Sequence, residues 1–413
     1  MKNCESSKSN NQYYNVPRIL QIVLTGIFLT AYAYCYAMQE TTPPGLQFHG
    51  FASQSLITTS DNNFFGNTDD NVSFDYTELG LNLSTRPAPT MLVALQILAR
   101  RAGEGHENDL ELDYGLIDYR AITNESGDLG VRLGRIQNPF GLYNDTRDVA
   151  FTRPSVILPQ SIYFDRVRDL ALSADGVHLY GERRMKWGFV SAQLGAARLR
   201  LNSLETELVL LGDDRPGELE DKISFIGRIL FSSDDEKIRM ALSGTEVNID
   251  YTPGQNDPSG RGDITFSPVI FSFQYHDEHW NFTSEYARRK FKFNNIIYSP
   301  LDEFTGESYY FQFHRRIKSD IWGFVRYDVT YLNNNDKNGK KFEALTQGAR
   351  PDYSQFARDW TIGARWEIDS HWMVAAEHHW VDGTAWLPAL DNPNPLETRR
   401  RWRMFMMITG FRF

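Results

Sequence analysis

The charged side chains that could act together are concentrated in one long segment, "NPFGLYNDTRDVAFTRPSVILPQSIYFDRVRDLAL", residues 138–172. It carries Asp145, Asp148, Asp165 and Asp169 beside Arg147, Arg153, Arg166 and Arg168. Acids and bases facing one another across a narrow opening set up a field that sorts passing solutes by size and sign. The same segment contains Phe151, Val156, Ile157, Leu158 and Phe164, which need an apolar surface to leave water. A loop of this length with both kinds of residue is expected to be functional rather than an idle connection.

Other chemical groupings are weaker. His276 and His279 flank Asp277 and Glu278 in "YHDEHW" and could offer metal ligands, but they fall at a tight turn and read as a solvated polar tip. Glu377 and His379 lie two residues apart and so share one face of a strand. No HExxH, GxSxG or P-loop sequence occurs, and the spacing yields no nucleophile with a base in reach. Neither an enzyme nor a cofactor is expected. The formal net charge of −10 argues against a nucleic-acid partner.

The elements that must position these residues begin with an address. Lys2, Lys8 and Arg18 precede an apolar run, "ILQIVLTGIFLTA", and "YCYA" supplies small residues for cleavage after Ala37. Residues 1–37 are expected to be a secretory signal peptide and 38–413 a single mature domain. Both cysteines, Cys4 and Cys35, fall in that leader, so no disulfide or thiolate metal site is expected in the mature domain.

Period-two alternation bounded by turn residues predicts sixteen strands. They cover 46–60, 71–86, 90–103, 109–122, 126–137, 173–184, 186–200, 222–233, 236–251, 263–277, 279–293, 307–318, 320–333, 357–369, 371–384 and 400–413. Most exceed the about 9–11 residues a tilted strand needs to cross hydrocarbon. The connections alternate long and short, as in barrels with turns on one side of a membrane and loops on the other. Helices are expected only as short turns between residues 140 and 172.

Within the strands the two faces differ. Trp360, Ile362, Ala364, Trp366 and Ile368 alternate with Asp359, Thr361, Gly363, Arg365, Glu367 and Asp369. Tyr309, Phe311 and Phe313 oppose Gln312, His314 and Arg316. Apolar outward and polar inward is the arrangement for a bilayer, which also demands closure because lipid satisfies no strand edge. The expected fold class is therefore all-β: a single transmembrane antiparallel up-and-down β-barrel of about 16 strands. Its long loop between strands 5 and 6 is expected to fold inward. Trp187, Trp280, Trp372 and Trp380 suit the aromatic girdles. Pro268 predicts a bulge or a late strand start, and His378 falls on the lipid-facing parity.

The chain ends in "RWRMFMMITGFRF", with Phe405, Met407, Phe411 and Phe413 on one parity. This terminal pattern resembles the C-terminal signature of outer-membrane barrels, and "LGRIQNPFG" (133–141) is similar to the junction of strand and loop in porins. In layout the whole mature chain resembles the sixteen-stranded Gram-negative porins.

The resemblance implies outer-membrane residence, insertion by machinery that reads the last strand, and a possible homotrimer. It also implies a water-filled channel for passive diffusion of small hydrophilic solutes and ions. Acids of the loop (Asp145, Asp148, Asp165, Asp169), with Arg147 and Arg166, would form the constriction. Arg132, Arg228, Arg316, Arg326 and Arg365, all of inward parity, would line the wall. The alternatives are a solute-specific anion or sugar channel of 16–18 strands and a membrane-embedded β-barrel hydrolase.

Overall fold

In the computed structural model, residues 45–201 and 203–413 are described, and the expected leader lies outside them. The strands are β1 (Leu46–Thr59), β2 (Tyr76–Ala88), β3 (Met91–Ala102), β4 (Glu107–Asn124), β5 (Gly127–Gln137), β6 (Ser173–Met185) and β7 (Gly188–Arg198). They continue as β8 (Glu218–Asp221), β9 (Ile223–Ser233), β10 (Ile238–Thr252), β11 (Gly262–His276), β12 (Trp280–Asn294) and β13 (Glu303–Arg316). The last four are β14 (Ile321–Tyr331), β15 (Phe356–Glu367), β16 (Trp372–Gly383) and β17 (Arg401–Arg412).

Both β8 and β9 pair with β10, Asp221 opposite Ile249 and Phe225 opposite Glu246. They are two halves of one stave, parted at Lys222 by a register slip of the kind a bulge makes. The wall therefore has sixteen staves, each antiparallel to its neighbours in chain order. It closes where β1 meets β17, Phe51 opposite Arg412 through Thr59 opposite Met404. Phe413 and Gly50 exchange backbone hydrogen bonds at 3.0 and 3.2 Å, so the terminal residue is part of the seam.

Exposed apolar side chains cover the outer face, among them Leu79, Leu133, Leu179, Ile229, Phe271, Phe311, Ile362 and Met407. Aromatic clusters gather near the short turns: Trp280 stacks on Tyr275 with centroids 4.7 Å apart, and Trp372 lies 4.8 Å from Phe411. Trp380 sits higher on the wall, with His378 packed edge-on against it at 4.5 Å. An indole covering an outward imidazole accounts for a polar residue at that position. Toward the long loops the outer face turns ionic, with pairs such as Arg101–Asp75, Arg135–Asp175 and Arg358–Asp382. An apolar band edged by aromatic rings and then by charge is the outer surface of a membrane-crossing barrel.

Strand ends shift where a turn uses the residues. The second strand starts at Tyr76 rather than 71, because Asn71 closes a turn on Thr68 and Ser73 is bridged to Ile57. No bulge forms at Pro268. The register is the same on either side, Gly244 opposite Val269 and Val247 opposite Phe266, and the ladder omits only the positions between. Proline has no N–H to give there. Two α-helices, Leu204–Leu211 and Lys340–Leu345, and two 3-10 turns, Asn334–Asp336 and Asp352–Gln355, lie outside the expected helical stretch 140–172; the first ends on Gly212 in the left-handed region.

The inner face is not uniformly polar. On β17 the inward residues are Trp402, Met404, Met406 and Ile408, all buried in one cluster with Ala150, Val156, Ile157 and Trp386. A second cluster joins Leu158, Ile162 and Tyr163 to Ile270, Ala287 and Tyr310. In both, the segment 138–172 supplies apolar partners, joined in the first by Phe64, Phe65 and Trp386 of other long connections. That segment resolves the crowded hydrophobicity of the C-terminus: one face of β17 meets lipid, the other meets the loop.

Candidate functional site

A polypeptide segment with no partner strand must find other partners for its amides and carbonyls. For residues 138–172 the wall supplies them. Gly141 turns the chain just after β5 with φ +63°, where a Cβ would lie 2.3 Å from the Tyr163 hydroxyl. Its N–H donates to Ser243 Oγ at 2.9 Å, and its carbonyl accepts from Arg228 at 3.0 Å.

Glu285 of β12 is fully buried and accepts from Leu142 N–H (3.0 Å), Tyr163 OH (2.7 Å), Tyr310 OH (2.9 Å) and Ser272 OH (2.6 Å). Glu377 of β16 accepts from the amides of Val156 (2.9 Å) and Ile157 (3.1 Å). The Ser161 amide donates to Asp328 of β14 at 3.3 Å.

Wall guanidiniums serve the carbonyls. Arg326 donates to Ser155 Oγ (2.9 Å) and Ile157 O (3.2 Å). Arg365 donates to Arg153 O (2.8 Å) and Phe151 O (2.9 Å). Arg289 donates to Ser161 O at 3.0 Å and covers the Phe164 ring at 4.6 Å. Wall acids thus take amides of the segment and wall guanidiniums take its carbonyls.

The expected pairing of loop acids with wall bases occurs at Asp145 and Arg228, 2.8 Å apart. It occurs again at Asp165, which meets Arg100 of β3, a wall base outside the expected set, at 2.8 Å, and also Arg147 of its own segment at 3.4 Å. Asp148 pairs with Arg168 within the segment. Burial, with Arg100 and Arg147 nearby, lowers Arg168 to about 9. Arg166 points to the long-loop end and donates to Leu387 O at 3.4 Å.

Two of the wall arginines stand away from the segment. Arg132 pairs with Asp118 on the adjoining strand at 3.0 Å, and Arg316 lies over Trp322 at 4.7 Å beside a short turn. Parity identifies a face but not a height along it, so Arg132 and Arg316 share a face with the other wall arginines without sharing their level. The same limit hid Glu78, Arg100, Glu285, Arg289 and Glu377 as the partners of the segment. Glu78 ion-pairs with Arg153 at 2.9 Å and Arg100 at 3.5 Å.

Water reaches the inner face mainly on the opposite side. Asn82, Tyr114, Asp118, Arg132, Tyr180 and Gln193, on β2 to β7, keep intermediate exposure beside buried Glu78, Gln96, Arg100, Asp113 and His178, whereas Glu285, Arg289, Tyr310, Arg326, Asp328 and Glu377, on β12 to β16, are buried. Tyr180 OH donates to Asp118 at 2.5 Å, and Arg132 stacks over the Tyr180 ring at 4.5 Å.

Two groupings have the residue types of catalysis or metal binding. His379 is sealed from solvent between Asp359 (Nδ1 to Oδ2, 2.6 Å) and Glu377 (Nε2 to Oε1, 3.1 Å). The hydroxyl beside it, Thr361, hydrogen-bonds to Asp359 at 3.1 Å and is equally buried, so no solute can reach this array. His106, Glu111 and Asp169 bring one ligand atom each within 4.8 Å of one another. Burial and the guanidiniums of Arg100, Arg168, Arg147 and Arg200 hold His106 down at about 2, and that positive surrounding opposes a cation. His276 and His279 flank an exposed turn, with His279 3.9 Å from Glu278.

No protein-family model and no curated protein matches the sequence. Solved structures do match the fold. The anion-selective porin from Comamonas acidovorans superposes with a TM-score of 0.56 at 9% identity, covering 89% of this chain and 99% of that one. The outer membrane channel DcaP of Acinetobacter baumannii gives 0.55 at 11% identity, covering 89% and 97%. OmpT of Vibrio cholerae, in its trimer form, gives 0.54 at 10% identity, covering 89% and 99%. At these identities the likeness concerns architecture: this chain has the fold of an outer-membrane β-barrel.

Proposed function

We propose that this chain resides in the Gram-negative outer membrane as a channel that passes small hydrophilic solutes and ions by passive diffusion, narrowed by residues 138–172. The observation that carries the proposal is the unequal treatment of the inner wall. The segment 138–172 is fastened by side-chain bonds to the inward residues of β12 to β16. The β2 to β7 side keeps polar, partly exposed inward side chains. Solutes would then pass off-centre, along Asp118, Arg132 and Tyr180, with the Asp145–Arg228 pair at the edge of the segment.

Sixteen staves are enough to leave an aqueous lumen even with one loop inside. The similarity of fold to channels and porins supports the same reading, and the trimer form of one of them supports a homotrimer as the assembly. Insertion would depend on the last strand, whose terminal Phe413 sits in the seam. Residues 1–37 would direct secretion and be removed. A barrel hydrolase would need a base and nucleophile within reach of solvent, whereas Asp359, His379 and Glu377 are enclosed.

The test is electrical. Purified protein in a planar bilayer should give stepwise, ohmic conductance, and protein that inserts without conducting above background contradicts the proposal.

A further inference from the structure

At the long-loop end lies a cavity of about 370 Å³, built by the connections β5–β6, β7–β8, β12–β13, β14–β15 and β16–β17. The helix Leu204–Leu211 and the segment 340–350 face each other across it. Leu208, Leu211, Phe304 and Phe342 supply an apolar lining, and Arg166, Arg215 and Arg350 reach it from different loops. No carboxylate side chain is among its lining residues.

The three guanidiniums have few partners of their own. Arg166 donates to Leu387 O at 3.4 Å, and Arg350 donates to Gly212 O at 2.5 Å. Arg215 covers the Tyr298 ring at 4.1 Å and reaches Asp213 at 3.6 Å, whose side chain is 65% exposed. Glu205, near Arg166, is occupied by the amides of Ala389 and Leu390 at 2.6 and 2.9 Å. Arg166 and Arg350 are partly buried, burial lowers both from the ordinary guanidinium value, and neither is ion-paired to an acid among the described residues. Each guanidinium has five N–H donors in a planar fork that matches a carboxylate. A concave apolar surface with a few convergent polar groups is the usual form of a small-molecule site.

From this geometry we infer that the cavity is a binding site for an amphipathic organic monoanion, a carboxylate on an apolar body, captured at the mouth of the barrel. The carboxylate is held by Arg166 and Arg350, and the body lies against Leu208, Leu211, Phe304 and Phe342. A small inorganic anion would leave the apolar lining wet, and a neutral sugar would leave the guanidinium charges unpaired. Arg166 belongs to the segment that narrows the lumen, so the ligand is bound at the upper edge of the solute path. This inference rests on the channel reading for its role as a capture site, though binding itself does not require conduction.

The experiment titrates phenylacetate, acetate and 2-phenylethanol into the full barrel in detergent micelles by calorimetry, with conductance measured on the same preparation. Phenylacetate should bind saturably and at least about ten-fold more tightly than either control, since it alone has both the charge and the ring. Combining Arg166→Gln with Arg350→Gln should weaken it by at least about ten-fold, and Phe342→Ala should weaken it by several-fold while keeping the preference for the anion. Variants are compared only as folded barrels, verified by their resistance to unfolding in cold dodecyl sulfate.

Equal binding of 2-phenylethanol, no saturable binding to the folded wild type, or unchanged affinity in the folded double variant would each overturn the site. Conduction without binding sinks the site alone. Binding without conduction leaves the site standing and removes the channel reading.

Discussion

The carboxylate of Glu285, on β12, accepts a hydrogen bond from the hydroxyl of Tyr163 at 2.7 Å, joining a wall stave to the far limb of the segment 138–172. The same carboxylate takes the amide of Leu142, on the near limb, at 3.0 Å. One buried side chain thus pins both limbs. Replacing it with alanine strands four donors, each costing about 1–3 kcal/mol if left unpaired in a dry site. Glu285→Ala should therefore release the segment while the barrel wall survives. New trypsin cleavage at Arg147 or Arg166 in folded protein, together with raised single-channel conductance, is the expected outcome. Identical digestion and conductance would mean that the segment is held by packing alone.

Gly141 tests the same anchorage from the backbone. Its φ of +63° costs a residue with a side chain about 1–2 kcal/mol, and the added methyl would press on Tyr163 and Glu285. Gly141→Ala should lower the unfolding midpoint in urea and expose the segment to protease in the same way as Glu285→Ala. Wild-type behaviour in both assays would refute the anchorage at this turn.

The pair Asp145–Arg228 should behave differently. Its side chains are 30% and 11% exposed, so the bridge contributes only about 0–1 kcal/mol to stability. Its consequence is electrical: Asp145→Asn leaves Arg228 without its ionic partner at the edge of the path. Under a salt gradient the reversal potential should move toward anion preference, with little change in the unfolding midpoint. A shift in stability without any shift in selectivity would remove Asp145 from the ion path.

Much of this architecture was legible because lipid imposes simple demands. Alternation with period two located all sixteen staves, and the alternation of loop lengths placed the segment 138–172. The outward rows Trp360, Ile362, Trp366 and Tyr309, Phe311, Phe313 follow parity directly. The inward side was less readable, because parity does not say what covers it. Trp402, Met404, Met406 and Ile408 face inward yet are apolar, since a loop rather than water lies over them. Arg326 and Arg365, expected on the wall, also hold carbonyls of a backbone whose path the sequence does not reveal.

Loop tethering brings in pH. Asp391, between β16 and β17, accepts amides of Phe65 (2.8 Å), Gly66 (3.3 Å) and Glu104 (2.9 Å), tying three long-loop connections together. Burial raises it to about 6 from its ordinary 3.8. An acid raised in the folded state binds its proton more tightly there than when unfolded. Stability from this group therefore rises as pH falls from about 6 toward 4, by at most about 3 kcal/mol. Urea midpoints measured from pH 7 to pH 4 should show that rise in wild type and a flatter profile in Asp391→Asn. A midpoint that falls over the same window only when Asp391 is present would reverse the assigned sign.

The most direct trial of the whole reading compares wild type with a deletion of residues 145–165 in the same planar bilayer. A barrel narrowed by an internal segment predicts discrete ohmic steps for the wild type, and larger steps with admission of larger sugars for the deletion. If both proteins insert as folded barrels and neither conducts, the barrel is not a channel. If both conduct with the same solute cut-off, the segment does not narrow it.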